Sequence, residues 1–272
     1  MTRQPSWWPW AAAVALVANS FVVVVVNVSI YWARSAFIAA HPDYVAHTPP
    51  TISRALSDPA IQGPFATWVA LSAVLLFAGV ACIVAIQLSA LARVRATVPR
   101  RAGLVRAGYA AVLPLQLVAC VGMVTLSQYT FPDFNRVHMV GSYMFFAAQA
   151  LVVLVALLIC RAVARDAGLG AGLRALGVLS PGANRLRLYL GSATVLLVVV
   201  YMGLFLAKGY DLGAWNAAVY LAYVGTEPAC ISAFLLYMAV YNADLIVLLR
   251  RWRGPAAAPA GVSPRRNESE MP

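Results

Sequence analysis

Six long apolar stretches alternate with shorter polar connections along the chain. We place them near residues 9–31, 66–90, 104–127, 138–160, 188–207 and 216–249. A helix that rises about 1.5 Å per residue needs about 20 residues to cross a hydrocarbon layer roughly 30 Å thick. Because lipid cannot satisfy free backbone groups, each stretch is expected to be helical, including the β-branched run at 22–26. The pattern predicts an all-α polytopic membrane protein with six transmembrane helices in one bundle.

Composition supports this fold class. Of the 272 residues, 62% are hydrophobic and only 11% are charged, and the mean hydropathy is +0.78. This is more apolar surface than the core of a soluble chain of this length requires, so the surplus is expected to face lipid.

The basic residues are sorted by connection. The amino terminus, the second and fourth connections and the tail hold Arg3; Arg93, Arg95, Arg100, Arg101, Arg106; Arg161, Arg165, Arg174, Arg185, Arg187; Arg250, Arg251, Arg253, Arg265, Arg266. The other connections hold only Arg34, Arg54, Arg136 and Lys208, together with nearby aspartates. The positive-inside rule therefore predicts that both termini are cytoplasmic.

This placement also explains the net charge of +11 without nucleic acid. Arginines next to a membrane attract anionic lipid headgroups. We expect inner headgroup contacts at Arg100, Arg101, Arg250 and Arg251, membrane lipids as partners, no nucleic acid, and a multi-pass location in the cell membrane.

Two connections invite a structural prediction. The outer one, residues 32–64, is long and rich in proline, which is typical of either a functional segment or a disordered one; its apolar content favours an ordered cap on the bundle. The inner one, residues 161–187, is compatible with a short amphipathic helix that lies on the inner leaflet or with a flexible linker. We divide the chain into a transmembrane domain, 1–253, and a disordered cytoplasmic tail, 254–272.

Aromatic residues and cysteines have simple interpretations. Trp7, Trp8 and Trp10, with Tyr31 and Trp32 at the far end, are expected to anchor the first helix at both interfaces. The four cysteines fall in four different helices and are expected to be small core residues.

An ionisable residue at membrane depth indicates function unless it is paired. Glu227, followed by Pro228, is the leading candidate, and counting back from Arg250 places it in the outer half of the bilayer. The fourth helix begins at that level with Asn135, Arg136 and His138, so a contact from Glu227 to His138 or Arg136 is expected.

The same helix continues the polar positions inward. His138, Gly141 or Ser142, Phe145 and Gln149 share one stripe, although buried amides more often hold helices together and Gly141 more often permits close packing. The amides Asn19 and Asn27 of the first helix belong to the same class. Asp244 is expected to pair with inner arginines.

The sequence lacks the residue patterns of haem, nucleotide, serine-hydrolase-elbow and metal sites. Three histidines, two of them in one connection, cannot supply paired haem ligands, and no nucleotide-binding, nucleophile-elbow or metal-ligand pattern is present. We therefore expect neither cofactor nor metal.

Three stretches resemble the FRAG/DRAM/SFK family of six-helix membrane proteins, which is related to GPI-lipid remodelling proteins and to the amino-terminal part of CWH-type proteins. Residues 50–53 are similar to its Pro-x-Ile-Ser element, and residues 137–142 to its His-x-x-Gly-Ala stretch. Residues 226–228 are similar to its sixth helix, although Pro228 stands where Trp is usual. The resemblance implies a role involving membrane lipid.

The favoured hypothesis is a non-enzymatic lipid-binding or membrane-organising protein. Its expected lipid-binding site or polar seam comprises Glu227, His138, Asn135, Arg136, Gln149 and Ser53. One alternative is a lipid-remodelling enzyme that uses Glu227 and His138 as an acid/base pair at the outer leaflet. A second alternative is a proton-coupled transporter in which Glu227 titrates.

Overall fold

The computed structural model describes residues 4–94 and 99–253, with the side chains of 99, 100 and 253 left out. Within these residues 88% are helical and none lies in a strand. Six helices are long and apolar enough to cross a membrane. The predicted fold class, an all-α bundle of six transmembrane helices, is confirmed, and the chain is an integral, multi-pass membrane protein. The predicted disordered tail, 254–272, lies outside the described residues.

The helices run in this order: α1 Trp8–Ala40, α2 Pro42–His47, α3 Ile52–Ala55, α4 Pro59–Val94, α5 Pro99–Gln128, α6 Asn135–Arg165, α7 Ala167–Ala175, α8 Pro181–Ala207, α9 Asn216–Ala239 and α10 Tyr241–Arg253. The transmembrane helices are α1, α4, α5, α6, α8 and the pair α9 and α10. The last predicted segment, 216–249, is therefore one crossing built from two helices that meet at Val240.

Several helices extend past their predicted ends. The first continues to Ala40 and the second begins at Pro59, so the outer connection shrinks to residues 41–58 and carries α2 and α3. Hydropathy marks only the part of a helix that lies in hydrocarbon, whereas helical backbone can continue into the interface. The predicted ordered cap is confirmed, because Ile52, Ala55 and Leu56 of this connection are buried in the bundle.

Glycine brings α5 and α6 together. A side-chain carbon added at Gly122 would lie 2.5 Å from the backbone nitrogen of Phe145 and 2.7 Å from the carbonyl oxygen of Gly141. Only a residue without a side chain permits this approach, as in other membrane helix pairs. The expected packing role of Gly141 is confirmed.

Contacts at one end of the bundle join the arginine-rich segments. The Gln4 amide donates to the carbonyl of Leu176, and the Arg251 guanidinium donates to the carbonyls of Arg174 and Ala175. The amino terminus, α7 and the end of α10 therefore lie at the same end. We call this the inner end and the opposite one the outer end, after the predicted orientation.

The inner connection forms a helix, α7, rather than a linker. Its apolar residues Leu169 and Leu173 are buried against the protein. Arg251 closes its carboxyl end, and Asp166 accepts from the Leu169 N–H at its start. The amphipathic face is therefore covered by the bundle, whereas a helix lying on the leaflet would turn that face to lipid.

A buried ion pair lies near the inner end. Nη1 of Arg187 is 2.6 Å from Oδ2 of Asp244, and the two side chains are 2% and 5% exposed. The second oxygen of Asp244 accepts from the Ser180 N–H at 2.7 Å. The expected pairing of Asp244 with an inner arginine is confirmed.

Amide side chains join helices, as expected of buried polar groups in membranes. Asn19 donates to Asn242, Asn27 accepts from Ser232, and Gln116 donates to Gln149 at 3.1 Å. The structural interpretation of these amides is confirmed.

The prediction for Trp8 is wrong. Its side chain is fully buried and donates to the hydroxyl of Ser89, because it packs against α4 and is not free to face lipid. Trp7 and Trp10 are exposed, as the predicted aromatic anchor requires. The four cysteines are free thiols; three of them are buried and Cys82 is half-buried, which agrees with core positions.

Candidate functional site

A short segment of the outer connection enters the bundle and meets Glu227. The Thr51 hydroxyl accepts from the Arg54 N–H and starts α3. The next residue, Ile52, is buried and donates its backbone N–H to Oε2 of Glu227 at 2.8 Å. Glu227 lies on α9 directly before Pro228, and its contact with the outer connection confirms its position in the outer half of the bundle.

His138 contacts Ser53, the next residue of the same segment. Its Nδ1 lies 3.0 Å from the carbonyl oxygen of Leu126 and 2.9 Å from that of Tyr129. Because carbonyls only accept, we assign the ring proton to Nδ1. Nε2 then accepts from the hydroxyl of Ser53, 2.9 Å away.

The expected direct contact of Glu227 with His138 or Arg136 is wrong. Glu227 contacts Ile52 and His138 contacts Ser53, so the backbone of the outer connection separates the two side chains. Both groups nevertheless border the same cavity. Sequence reasoning gave them the same depth but could not place a third segment between them.

The other predicted site residues divide into two groups. Asn135 and Arg136 are exposed at the start of α6, and Asn135 borders an outer cavity. Gln149 is buried and pairs with Gln116, so it holds α5 and α6 together and does not extend a polar seam.

An apolar cavity, which we call the outer chamber, extends inward from Ser53, His138 and Glu227. Its volume is about 80 Å³. Its other walls are Val26, Ile30, Ile52, Leu56, Phe65, Val69, Met123, Leu126, Met139, Ser142, Phe145, Phe146, Tyr201, Phe205, Tyr223 and Ile231. The walls are mostly hydrocarbon, with a few polar groups gathered at the outer end.

Aromatic rings close the chamber on its inner side. Phe145 and Phe234 lie with ring centroids 6.1 Å apart, and Phe146 packs against both Phe145 and Tyr201. Phe145 is two helical turns below His138, and Phe234 is two turns below Glu227. The chamber therefore ends near the middle of the bundle.

A second, more polar cavity lies above the chamber and we call it the vestibule. It has a volume of about 310 Å³ and is bordered by Tyr44, Thr51, Ser53, Arg54, Phe131, Asn135, His138, Met139, Phe205, Lys208, Tyr220 and Tyr223. Ser53 and His138 belong to both cavities, as do Met139, Phe205 and Tyr223. Ser53 and His138 therefore lie at the junction between an apolar chamber and a polar vestibule.

Two cations border the vestibule. The Lys208 ammonium lies 4.4 Å from the ring centroid of Tyr223 and 4.9 Å from that of Phe205, and the Arg54 guanidinium lies 4.8 Å from that of Tyr44. Burial lowers the pKa of Lys208 from its ordinary value, and the charge of Glu227 opposes that shift. Aromatic rings hold both cations in place without neutralising them.

A cleft between α6 and α8 adjoins the chamber from the side. It is bordered by Tyr143 and Met202, together with chamber residues of both helices. Tyr143 is 49% exposed on the side of the bundle and contacts the ring of Phe205. The side of the chamber thus approaches the surface that faces lipid.

The arginines expected to contact inner headgroups have different environments. Arg101 lies 3.7 Å from Asp166, and Arg251 donates to the end of α7, so both have protein partners. Arg250 is exposed, and the side chain of Arg100 lies outside the described residues.

Within 4–94 and 99–253, no group of three or more His, Cys, Asp or Glu side chains could hold a metal ion. Sequence reasoning missed the pairing of Ser53 with His138 and the cations at the vestibule. The only signal for Ser53 was its place in the Pro-x-Ile-Ser element, since no spacing relates residue 53 to residue 138.

Comparison with known proteins gives no relative. No family model matches the chain, and neither the curated proteins nor the solved structures contain a match.

Proposed function

We propose that this protein binds a membrane lipid of the outer leaflet, with an acyl chain in the outer chamber and the headgroup in the vestibule. The observation that carries the proposal is the junction of the two cavities at Ser53 and His138, apolar below and cationic above. Amphiphiles have the same division, and pockets of this kind combine apolar walls with a few fixed polar groups.

The surroundings of the chamber favour lipid over a water-soluble ligand. The cleft between α6 and α8 lies on the lipid-facing surface, so an acyl chain has a short path from the bilayer. Lys208 and Arg54 favour a headgroup that carries a phosphate or another anion. The sequence also favours a lipid-binding or membrane-organising role, and there it is expected to be non-enzymatic.

We also propose that the chain belongs to the FRAG/DRAM/SFK type and resides in the cell membrane. The three stretches that resemble this family contribute Ser53, His138 and Glu227, and all three side chains border the outer chamber. Segments far apart in sequence thus converge on one site, which supports a shared role for them.

The transporter hypothesis receives less support. A transported solute or proton would need a polar path to the inner end, whereas the aromatic contacts of Phe145, Phe146 and Phe234 close the chamber near mid-bundle. We do not propose transport.

Native mass spectrometry of the purified protein tests lipid binding. Met139→Trp places a large ring at a position that borders the chamber, the vestibule and the cleft. Val140→Trp, one residue along the same helix, adds the same ring at a position that is 56% exposed. We expect wild type and Val140→Trp to retain lipid, and Met139→Trp to retain about tenfold less, equivalent to about 1.4 kcal/mol.

Equal lipid retention by Met139→Trp and Val140→Trp would place the bound lipid elsewhere and refute the chamber. A second variant examines the headgroup: Lys208→Glu should shift retained lipid from anionic toward zwitterionic headgroups, because it reverses a charge at the vestibule.

A further inference from the structure

Ser53 lies where a bound lipid would carry its linkage between chain and headgroup. Its hydroxyl borders the apolar chamber on one side and the cationic vestibule on the other. In an ester lipid bound as proposed above, the ester carbonyl is the group that occupies this boundary. The inference below rests on that proposed binding mode.

The hydrogen bonds of Ser53 and His138 match those of a nucleophile and its base. The Ser53 hydroxyl donates to Nε2 of His138 at 2.9 Å, a distance that permits direct proton transfer. The carbonyls of Leu126 and Tyr129 bind the Nδ1 proton and fix both the tautomer and the orientation of the ring. Nucleophile, base and orienting group are the three parts of a serine hydrolase site, which is recognised by geometry and not by fold.

The cavities distinguish this pair from a hydrogen bond that serves only packing. His138 is 3% exposed to solvent, yet both side chains border two cavities, with volumes of about 80 Å³ and 310 Å³. By contrast, Gln116 and Gln149 form a buried pair between α5 and α6 that borders neither of these cavities. A reactive hydroxyl requires such space next to its base.

We propose that Ser53 and His138 form a catalytic pair that cleaves an acyl ester of the bound lipid. Nε2 of His138 takes the Ser53 proton as Oγ bonds to the ester carbonyl carbon. The carbon–oxygen bond to the glycerol then breaks, and the leaving oxygen takes the proton from Nε2. Water from the vestibule next gives a proton to Nε2 as its oxygen bonds to the acyl carbon. The bond between that carbon and Oγ then breaks, and Oγ takes the proton from Nε2, which releases a fatty acid and restores Ser53.

The remaining polar groups have supporting roles. Arg54 and Lys208 place positive charge at the vestibule, where it favours the negative oxygen that develops during attack. Glu227 acts as a positioning residue, because its carboxylate holds the Ile52 N–H and thereby the backbone that carries Ser53. This assignment differs from the acid/base role that the sequence suggested for Glu227 with His138.

Two experiments with the full-length protein in lipid nanodiscs test the pair. The first is labelling by a fluorophosphonate, which bonds to activated serine hydroxyls, followed by peptide mass spectrometry. The second is release of fatty acid from diacyl phosphatidylglycerol, with the dialkyl ether analogue as the substrate that cannot be cleaved. The variants are Ser53→Ala and Ser57→Ala.

The matched control is Ser57, on the same outer connection. Its hydroxyl donates to the carbonyl of Arg54, and it borders neither cavity. We expect wild type and Ser57→Ala to be labelled at residue 53 and to release fatty acid from the ester lipid alone. We expect Ser53→Ala to lose labelling and to release at least about 100-fold less fatty acid, which is the scale of contribution of an assisted nucleophile.

Lipid retention separates failure of the reaction from failure of the binding site. If wild type retains the ether lipid in a manner that Met139→Trp abolishes, yet is neither labelled at Ser53 nor releases fatty acid, the catalytic pair is refuted and lipid binding stands. If neither the ether nor the ester lipid is retained, both proposals are refuted. Equal turnover by wild type and Ser53→Ala would also overturn the catalytic pair.

Discussion

Removing the carboxylate of Glu227 should release the segment that carries Ser53. In Glu227→Ala the buried N–H of Ile52 loses its acceptor, which is 2.8 Å away in the intact protein. A buried donor left without a partner costs about 1–3 kcal/mol. Since about 1.4 kcal/mol corresponds to a factor of ten, local opening of residues 51–56 should become roughly 5- to 150-fold more frequent.

Amide hydrogen exchange measures that opening directly. Peptides that cover 51–57 should exchange faster in Glu227→Ala by the factor given above, while peptides from the middle of α6 should be unchanged. In Glu227→Gln the side-chain oxygen can still accept from Ile52, so most of the protection should return. Turnover of the ester lipid should fall most in Glu227→Ala and less in Glu227→Gln, because the variants differ in how well Ser53 is held beside His138.

Unchanged exchange at 51–57 in Glu227→Ala would refute the reasoning, because the Ile52 hydrogen bond would then contribute nothing to the position of the segment. Faster exchange throughout the bundle would equally refute it, since the effect would then be global unfolding and not release of one segment.

Four other perturbations have expected outcomes. Asp244→Ala should lower the free energy of unfolding by about 3–5 kcal/mol because it leaves a buried charge, whereas Arg187→Met with Asp244→Leu should recover most of that loss in a double-mutant cycle in detergent. Gly122→Ala should lower the thermal midpoint because its added carbon meets α6 backbone, whereas Gly103→Ala, with open space around it, should not. A hydrogen bond from His41 lowers the pKa of Asp58 below 3.8. The stabilising contribution of Asp58 is therefore complete above pH 3.8 and is lost as the pH falls through the lowered pKa. An NMR titration of its carboxyl carbon should give a midpoint below 3.8, and a midpoint at or above 3.8 would contradict this prediction. Reporter fusions at the two chain ends should both respond in the cytoplasm; opposite responses would refute the orientation.

The helices were predictable because a membrane acts on average hydropathy. Six apolar stretches define the number of crossings, and the sorting of arginines predicts which end of the bundle is cytoplasmic. Depth along a helix could also be counted, and Glu227 and His138 were correctly placed at one level. Depth does not give the direction in which a side chain points around its helix, which is why Trp8 was expected at an interface and is buried against α4.

The site could be predicted only in part, since its central residue lies on a connection. Ser53 lies in α3, and this helix of four residues is too short to show a periodic pattern in the sequence. Its position depends on Thr51, which starts the helix, and on Glu227, which accepts a hydrogen bond from Ile52. The path of the connection into the bundle is a tertiary property. Because the sequence does not show this path, it predicts a direct contact between Glu227 and His138. The structure instead places Ile52 beside Glu227 and Ser53 beside His138.

Two buried ionisable clusters within the described residues use their polar groups in different ways. At the inner end Arg187 and Asp244 neutralise each other at 2.6 Å, and Ser180 occupies the remaining carboxylate oxygen, so this cluster holds α8 and α10 together. At the outer end Glu227 and His138 have backbone groups and a hydroxyl as their partners. A hydroxyl bound to an oriented imidazole keeps its reactivity, whereas a neutralised ion pair has none to offer. The catalytic pair that we propose therefore lies at the outer end, where Ser53 also borders open space.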